Sequence, residues 1–375
     1  MSPAMPLPVM IIGAGPTGLS AALFLRRRGV PVRIIDKAAR PSTRSKALLV
    51  NPRTLDLLRD SGVTRRIEDA GHPVLGAVLH RAGRRVASID LRQALSTTLP
   101  IGLGQAHTEA LLSEALGELG VQVERGCALQ TLRQDAQQVT LTLQSESGTQ
   151  TADASLVFGA DGAHSTVRQA LDIDFPGQAL PGPWLLWDMH LRTSLDPGCA
   201  HIVLVPDGFV FVMNLQDDLW RVIGNGADPL AHLPDDSVAG EVAWQSRFHI
   251  AHRLARRFGT GRVMLGGDAA HIHSPLGARG MNLGIEDAWV FAECAARALA
   301  GASADLQACA EQRRSVDGRV VRRVAILTRV MAGHPPPLRW LRDALLPQAL
   351  KLAPVRHAMI RTLAGLDHPL RTGAR

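Results

Sequence analysis

The sequence of 375 residues contains no tyrosine, few lysines and only four cysteines. The absence of tyrosine excludes any mechanism in which a tyrosine hydroxyl accepts or relays a proton. The cysteines (Cys127, Cys199, Cys294 and Cys309) are far apart and form no Cys-x-x-Cys pair. We therefore expect neither a disulfide framework nor a zinc site, and a reducing, cytoplasmic environment fits this cysteine usage.

The net charge of +7 comes from 41 Lys and Arg against 34 Asp and Glu. The positive charge is almost all arginine and is scattered, with no dense basic run, so we expect no nucleic-acid partner. No apolar run reaches the ~18 residues that predict a membrane span. The residues ahead of the first apolar run, 1–8, are too few and too proline-rich for a signal peptide.

The chain is longer than the size at which a single core is the default, so we expect two domains or one domain with a large insertion. Its apolar run Val9 to Ile12 precedes a glycine turn, a helical pattern from Leu19 to Arg28 and a second apolar run ending at Asp36. This order predicts a strand–helix–strand unit and a parallel sheet. From Pro176 to about Thr260, short alternating runs between turns predict antiparallel strands.

The glycine turn reads Gly13-x-Gly15-x-x-Gly18. Gly13 permits the tight turn, Gly15 allows the backbone to approach a diphosphate, and Gly18 allows close helix–strand packing. Asp36 lies 18 residues beyond Gly18, where an acid accepts hydrogen bonds from ribose hydroxyls. Together these features predict a dinucleotide site but do not distinguish NAD from FAD.

Two later segments make that distinction. The sequence FGADGAHSTVR from Phe158 to Arg168 resembles the Asp-Gly motif of flavoprotein hydroxylases. The sequence GRVMLGGDAAH from Gly261 to His271 resembles their Gly-Asp motif, and it continues into SPLGARGMNLGIEDA. With all three motifs, the chain from about residue 9 to about residue 330 resembles the group A FAD monooxygenases of the p-hydroxybenzoate hydroxylase type. Residues 244–258 also resemble the corresponding segment of phenol and polyketide hydroxylases.

The resemblance implies an α/β fold with a Rossmann-like FAD-binding domain, an inserted antiparallel-sheet substrate domain and a helical C-terminus. We expect the FAD-binding domain in residues 1–70, 101–175 and 262–330. The substrate domain is expected in residues 71–100 and 176–261, and a C-terminal helical segment in residues 331–375.

The resemblance also assigns cofactor contacts, with a lysine where the family usually has an arginine at Lys46. The implied FAD-binding residues are Gly13, Gly15, Pro16, Thr17, Gly18, Asp36, Lys37, Arg44, Lys46, Gln105, Asp161, Gly162, Arg168, Gly267, Asp268, Pro275, Gly277, Gly280, Met281 and Asn282. A helix beginning near Met281 would direct its N-terminus at the flavin ring and stabilise its reduced anion.

The implied catalytic residues are Pro275, Gly277, Arg279 and His273. Ala278-Arg279 stands where many relatives have Gly-Gln, and Arg279 would add charge beside the flavin. The apolar strands Ile202–Val205 and Phe209–Met213 predict the substrate pocket, with candidate residues Val203, Val205, Phe211, Met213 and His249.

The implied reaction is hydroxylation of an aromatic or polycyclic apolar substrate through a flavin C4a-hydroperoxide, with FAD reduced by NADH or NADPH and reoxidised by O₂. Because there is no tyrosine, a histidine (His190, His249 or His273), a backbone carbonyl or an already ionised substrate must replace a tyrosine relay. His271 is expected to be a packed structural histidine.

Other functions share parts of this pattern. A geranylgeranyl-reductase-like flavin reductase has the same fold, and a non-catalytic FAD-binding protein that shields an intermediate would bind FAD without turnover. The halogenase signature Trp-x-Trp-x-Ile-Pro is not supplied by residues 184–187. We expect a monomer or homodimer. The basic, amphipathic stretch 340–363 is expected to pack on the body or a second subunit, with a membrane surface as the alternative.

Overall fold

The computed structural model describes residues 6–42, 47–95, 98–180, 182–206, 208–225, 228–301, 306–333 and 336–370. In chain order its strands are β1 (Val9–Ile12), β2 (Val32–Asp36), β3 (Leu49–Val50), β4 (His72–Pro73), β5 (Gly76–Arg81), β6 (Arg84–Asp90), β7 (Ile101–Gly102), β8 (Val123–Arg125), β9 (Ala128–Gln134), β10 (Val139–Ser145), β11 (Gly148–Ala154), β12 (Leu156–Gly159), β13 (Gly177–Ala179), β14 (Trp184–Arg192), β15 (Cys199–Val205), β16 (Gly208–Gln216), β17 (Leu219–Gly224), β18 (Val238–Phe248), β19 (Ala251–Leu254), β20 (Gly259–Thr260), β21 (Val263–Leu265) and β22 (His271–Ile272).

Its helices are α1 (Pro16–Arg27), α2 (Pro52–Leu58), α3 (Val63–Ala70), α4 (Gln105–Glu118), α5 (Thr166–Ala170), α6 (Gly280–Leu299), α7 (Leu306–Ala332), α8 (Pro336–Ala349) and α9 (Ala353–Leu363). Short 3-10 turns lie at Arg59–Ser61, Pro229–His232 and Gly267–Ala269. No helix within the described ranges is long and apolar enough to cross a membrane.

A six-stranded sheet in the order β20-β21-β12-β1-β2-β8 forms the first layer. Its strands pair in parallel except at β20. Every residue of β1 and β12 is buried, as expected for a parallel sheet covered on both faces. Helix α1 packs against α6 and α4. A Cβ on Gly18 would collide with the Gly13 carbonyl oxygen, so glycine permits the close approach of helix and turn.

A seven-stranded sheet in the order β18-β14-β17-β16-β15-β5-β6 forms the second layer and is antiparallel except where β15 meets β5. Because strand side chains alternate, the sheet has two apolar faces. One face packs with Leu276 and the C-terminal helices and includes Leu79, Trp184, Leu186, Leu204, Phe209 and Ile223. The opposite face forms a separate cluster that includes Met189, Val203, Val205, Val210, Val212 and Trp220.

Three smaller sheets complete the architecture: β11-β10-β9, β3-β7-β4 and β13-β19-β22. In the last of these sheets, β19 pairs with β13 on one side and with β22 on the other. In the sequence, β13 and β19 flank the antiparallel region, and β22 follows β21 of the parallel sheet. The parallel sheet, the antiparallel sheets and the helical C-terminal region confirm the predicted α/β fold class. The stretch 340–363 forms parts of two helices, α8 and α9.

Cys294 of α6 and Cys309 of α7 form a disulfide, which corrects the sequence prediction. The two cysteines are 15 residues apart, but α6 and α7 pack against each other and bring the two side chains together. Cysteine spacing therefore did not predict a pairing created by the packing of two helices. The argument from cysteine usage for a reducing environment fails at this pair. Cys127 and Cys199 have free thiols.

Candidate active site

The predicted cofactor residues follow neighbouring strands of the parallel sheet. Gly13 comes directly after β1, Asp36 ends β2, Asp161 follows β12 and Asp268 follows β21. The strand order β21-β12-β1-β2 makes these four carboxyl ends adjacent. In open α/β sheets, ligands bind outside the carboxyl ends of the strands. One edge of the sheet therefore collects all three motifs.

The glycine turn leaves open space beside Gly15 but not beside Gly13. A Cβ on Gly13, at φ +102°, would collide with the Ala160 carbonyl oxygen. At Gly15, by contrast, an added Cβ would meet no atom within 4 Å. Gly15 is the N-cap of α1, and Pro16 opens the helix. Free space at a helix N-terminus is what a diphosphate group requires.

Asp36 is bound to the glycine turn. Its Oδ2 accepts a hydrogen bond from the Ala14 amide at 2.7 Å, and its Oδ1 accepts one from the Ala38 amide at 2.8 Å. Lys37 beside it is exposed. The two remaining basic candidates, Arg44 and Lys46, lie outside the described residues.

Asp161 has an unsatisfied oxygen. Its Oδ2 accepts from the Val167 amide at 3.1 Å, while Oδ1 is buried and has no hydrogen-bond partner among the described residues. Gly162 follows at φ +81°, where an added Cβ would meet no atom within 4 Å. A buried carboxylate oxygen without a donor is costly. The residues at this edge therefore fit a dinucleotide that supplies hydroxyl donors here.

Arg168 is buried and joins two of the motifs. Its guanidinium donates to the Ala269 carbonyl at 2.9 Å and to the Ala163 carbonyl at 3.0 Å, and it lies 4.0 Å from the centre of the Phe175 ring. Burial lowers the pKa of this guanidinium. The Arg168 side chain thus connects the Asp-Gly motif to the Gly-Asp motif within the protein. Its direct contact with a nucleotide stays a prediction.

The Gly-Asp motif forms a tight turn against α1. Gly267, at φ +58°, has no room for a Cβ beside Thr17 Oγ1, and its amide donates to Asp287 Oδ2 at 2.9 Å. The next residue, Asp268, is exposed. Asp268 thus lies on the exposed side of this turn, whereas Gly267 permits close packing against α1.

Gln105 begins α4, directly after its N-cap Gly104. Its Oε1 accepts from the Ala47 amide at 3.4 Å, and its Nε2 donates to Glu109 Oε1 at 2.8 Å. Burial raises the pKa of Glu109. The amide therefore connects the start of α4 to the segment that leads into β3.

The loop from His273 to Asn282 leaves space beside its glycines. An added Cβ on Gly277 would meet its first neighbours at 3.9 Å and one on Gly280 at 4.0 Å, and Pro275 is exposed. Helix α6 begins at Gly280, so the first amides of the helix, including that of Met281, have no intrahelical acceptor. This open backbone, with a helix N-terminus, fits a flat anionic ring.

Asn282 holds that loop in place. Its Oδ1 accepts from the Asn51 amide at 2.9 Å, and its Nδ2 donates to the Leu49 and Ala278 carbonyls at 2.8 and 2.7 Å. Asn51 in turn caps α2 through Thr54. The side chain of Asn282 is thus used within the protein. Sequence reasoning missed Asn51, because no motif marked it.

Arg279 does not face the open side of the loop, which corrects its predicted catalytic role. The side chain is fully buried. Its Nη1 donates to the Thr362 carbonyl at 2.6 Å and lies 3.2 Å from Asp367 Oδ1. Although burial opposes it, the hydrogen bond from His368 and the charge of Arg279 lower the pKa of Asp367 to about 2. Arg279 therefore fastens the loop to the C-terminal segment.

A buried ionic network lies behind the loop. Arg313 donates from Nε to Asp287 Oδ1 at 2.8 Å, and its Nη2 lies 2.7 Å from Asp317 Oδ1. His271 Nε2 lies 2.8 Å from Asp287 Oδ2. Burial raises the pKa of Asp317 well above its usual range. Burial would also raise the pKa of Asp287, but the charges of Arg313 and His271 lower it.

The carboxylates of this network and His271 have the spacing of metal ligands. Ligand atoms of His271, Asp287 and Asp317 lie within 4.8 Å of one another. The Arg313 guanidinium, however, is 2.7 Å from both carboxylates and already supplies the cation. The cluster is a structural support for α6, and Asp287 reaches from it to the Gly267 amide.

Of the histidines proposed to activate a substrate, one lies in the loop. His273 Nδ1 donates to the Ser274 carbonyl at 2.8 Å, so Nε2 is an acceptor, and it is buried with no partner in the described part of the chain. Burial lowers the pKa of His273 to about 3. His190 is exposed and bonded to Asp218 at 2.8 Å, and His249 is exposed.

The candidate substrate residues divide between the two faces of the seven-stranded sheet. Phe211 and Met213 alternate with Val210 and Val212 in β16 and lie on the face that carries Phe209. Val203 and Val205 lie in the cluster on the opposite face. The prediction that these four residues line one pocket is wrong. Alternate residues of a strand point to opposite faces of the sheet.

One ion pair interrupts the apolar face that carries Phe211. Arg221 Nε and Nη2 donate to Asp188 Oδ1 and Oδ2, both at 2.6 Å, and the guanidinium lies 5.5 Å from the Trp244 ring centre. In the strand register, Arg221 pairs with Met213. Sequence reasoning did not single out this pair, since its members come from different strands.

Comparison with known proteins agrees with this geometry. The family model described as "FAD binding domain" matches residues 6–212 and 227–324. The chain is 32% identical to 6-methylpretetramide 4-monooxygenase of Streptomyces rimosus, covering 97% of this chain and 71% of that protein. It is 33% identical to 12-dehydrotetracycline 5-monooxygenase/anhydrotetracycline 6-monooxygenase of Streptomyces rimosus subsp. rimosus, covering 75% of this chain and 60% of that protein. Against the latter, the chain spans less than two thirds of the relative's length.

Solved structures show the same likeness. The p-nitrophenol 4-monooxygenase from Pseudomonas putida DLL-E4 superposes with a TM-score of 0.86 at 25% identity, covering 99% of each chain. The anhydrotetracycline hydroxylase from Streptomyces rimosus superposes with a TM-score of 0.81 at 29% identity, covering 98% of this chain and 77% of that one. The chain therefore belongs to the FAD binding domain family, as an FAD-dependent monooxygenase of the aromatic hydroxylase type.

Proposed function

We propose that this protein uses NADH or NADPH and O₂ to hydroxylate a bulky, polycyclic, apolar aromatic substrate. The observation that carries the proposal is the position of the loop that begins at His273. It leads from the cofactor edge of the parallel sheet into α6, and its Leu276 packs in the same cluster as Trp184 and Phe209 of the seven-stranded sheet. A cofactor edge and an apolar aromatic face are thus joined by one short loop.

The residues at the cofactor edge have distinct tasks in this proposal. The open N-terminus of α1 at Gly15 holds the diphosphate, and Asp36 accepts hydrogen bonds from the adenosine ribose. Asp161 Oδ1 and Asp268 accept from hydroxyls nearer the middle of the cofactor. The N-terminus of α6 stabilises negative charge on the ring. FAD, when bound, supplies hydride acceptance and the activation of O₂.

The substrate side is apolar with one polar feature. Phe211 and Met213 offer an aromatic and a flexible thioether surface, and the Asp188–Arg221 pair lies beside Met213 in the strand register. Binding sites of this composition orient an apolar ligand through a few polar groups. One relative is named for 6-methylpretetramide and another for 12-dehydrotetracycline and anhydrotetracycline, which supports a polycyclic ring system.

Proton handling must differ from a tyrosine relay. His273 is neutral and, with a pKa lowered to about 3 by burial, too weak a base to deprotonate a phenol. We therefore infer that the substrate enters already ionised or electron-rich. His273 Nε2 then accepts a hydrogen bond rather than a proton.

The experiment is an assay of purified, FAD-loaded protein with NADH and NADPH against an aromatic panel. The panel pairs anhydrotetracycline, a polycycle, with p-nitrophenol, a single ring. We expect oxidation of the reduced nicotinamide and O₂ uptake to rise with the polycycle, with an oxygen atom from ¹⁸O₂ in the product. Light scattering on the same sample measures whether the protein is a monomer or a homodimer.

Three results would contradict the proposal in whole or in part. A reductase of the geranylgeranyl type would oxidise the nicotinamide without O₂ uptake and would saturate a double bond. A non-catalytic shield would bind FAD and ligand without stimulated nicotinamide oxidation. A preference for the single ring would overturn the substrate class and leave the monooxygenase assignment intact.

A further inference from the structure

Helix α8 exposes an apolar face. Trp340, Leu341 and Leu345 are 72%, 43% and 53% exposed, and Pro337 and Ala344 are exposed beside them. Their spacing of three and four residues places them on one side of the helix. Large apolar side chains that cluster on an exposed face mark an interaction surface rather than a chance arrangement.

The opposite side of α8 already fixes the helix to the body. Arg342 is buried, and its guanidinium donates to the carbonyls of Met331, Gly208 and Val205 at 2.7, 2.9 and 3.0 Å. Leu350, just beyond the end of the helix, is buried in the cluster that contains Met331. Arg342 and Leu350 therefore attach this part of the chain to the body, whereas Trp340, Leu341 and Leu345 leave much of their apolar surface in solvent.

The apolar surface continues past the end of α8 and is bordered by cations. Leu352 is 59% exposed and Val355 is 36% exposed. Lys351 and Arg361 of the same segment are also exposed. Between residues 336 and 363 the only carboxylate in the sequence is Asp343. That carboxylate is held by Arg342 at 2.8 Å and lies 3.8 Å from Arg81. The exposed charge of this segment is therefore mostly positive.

We propose that this surface, formed by α8 and the start of α9 and defined by Trp340, Leu341, Leu345, Leu352 and Lys351, binds the surface of an anionic bilayer. An amphipathic helix with bulky apolar groups on one face and cations beside it lies in the plane of the lipid headgroups. Tryptophan prefers that interface, and each nearby cation adds about 1 kcal/mol on an anionic membrane.

A second copy of the chain is the less favourable occupant. A symmetric contact places the same patch on both subunits, so Lys351 and Arg361 of the two copies would border one interface with no carboxylate in the segment left to pair with them. An anionic bilayer supplies the missing negative charge. The binding is peripheral, since no helix among the described residues is suited to cross a membrane.

The test uses the full, FAD-loaded chain in co-sedimentation with vesicles of phosphatidylcholine alone or mixed with phosphatidylglycerol. We expect binding to the mixed vesicles, weaker binding at high salt because the charges are screened, and a blue shift of tryptophan emission. The double variant Trp340→Ser/Leu345→Ser should lose about tenfold or more in affinity, because it removes two large apolar side chains. Lys351→Glu should weaken binding to the mixed vesicles.

The matched control is Val238→Ser in β18, because Val238 is 52% exposed and Leu345 is 53% exposed. It should bind vesicles as the wild type does, and all variants should retain the FAD absorbance spectrum. Absence of wild-type binding to the mixed vesicles would overturn the proposal, as would unchanged binding by the double variant. A wild-type dimer that the double variant converts to monomers would assign the patch to a second copy.

Discussion

The cofactor edge differs in composition from the apolar sheet face that carries Phe211, on which we propose that the substrate binds (the substrate face). The cofactor edge consists of backbone held in tight turns and a few carboxylates, such as Asp36 bound to Ala14 and Asp161 bound to Val167. The substrate face consists of apolar side chains, interrupted by the Asp188–Arg221 pair. A substitution at the edge alters a specific backbone position, whereas a substitution on the face alters the shape of the apolar surface.

The comparison explains why the two regions accept change differently. Close backbone packing tolerates no added atom at Gly13 or Gly267, so the edge is determined residue by residue. An apolar face tolerates exchange among residues of similar volume. We expect the edge to determine whether FAD binds and the face to determine which aromatic ring is accepted.

The largest expected effect comes from the network behind the edge. Arg313→Met removes the guanidinium that lies 2.7 Å from both Asp287 and Asp317 and leaves these two buried carboxylates without its positive charge. Removing one member of a buried ion pair destabilises a protein by about 3–5 kcal/mol. Denaturant unfolding monitored by circular dichroism measures the difference. Arg65→Met, in an exposed pair with Asp69 at 3.8 Å, is the control and should change stability by less than about 0.5 kcal/mol. Equal effects of the two changes would show that the network is not a support.

A pair of glycine variants separates folding from cofactor binding at the edge itself. Gly13→Ala forces a side chain into φ +102° and against the Ala160 carbonyl. This strain should destabilise the protein without cofactor by at least about 1–3 kcal/mol. Gly15→Ala places its Cβ in open space and should leave that stability unchanged while weakening FAD binding about tenfold or more. Thermal unfolding and flavin fluorescence titration measure the two quantities. Normal FAD affinity in Gly15→Ala would show that the diphosphate does not bind at this turn.

The sequence predicted the α/β fold and the strands that the three motifs follow for the same physical reason, and cofactor contact at these residues stays a prediction. Glycines and acids at fixed spacing in Gly13–Gly18, Asp161 and Asp268 have few alternative uses, so the strand ends and the α/β fold followed from them. Contacts between distant segments could not be predicted in this way. Arg279 carries the same charge whether it faces a ring or Thr362, and only the folded C-terminal segment decides between them. The disulfide between Cys294 and Cys309 depends on how α6 and α7 pack.

On the substrate face, the sequence identified the strands but not the side of each residue. Phe211→Ala and Val203→Ala test that distinction, because Phe211 and Val203 lie on opposite faces. Phe211→Ala should raise the KM for the turned-over polycycle about tenfold, which corresponds to about 1.4 kcal/mol of lost apolar contact. Val203→Ala should lower the midpoint of unfolding with KM unchanged. The reverse pattern would place the substrate on the other face of the sheet.

The smallest expected effect lies at His273, where the edge meets the substrate face. His271, Arg279 and His252 face this imidazole. Burial, together with these charges, lowers its pKa to about 3. In the unfolded chain it titrates near its ordinary value of about 6.5. Between these two values the unfolded state binds one more proton than the folded state, so stability falls as the pH falls. The contribution is fully present above about pH 6.5 and declines by about 1.4 kcal/mol per pH unit below it.

His273→Asn removes the titrating group and can still donate a hydrogen bond to the Ser274 carbonyl. From pH 6.5 to 5.5, where the unfolded imidazole is still titrating, the wild type should therefore lose about 1 kcal/mol more unfolding free energy than the variant. Other titrating groups cancel in this difference. Parallel pH profiles for the two proteins would mean that the fold does not lower the pKa of His273, and would contradict its placement as a buried, neutral hydrogen-bond acceptor.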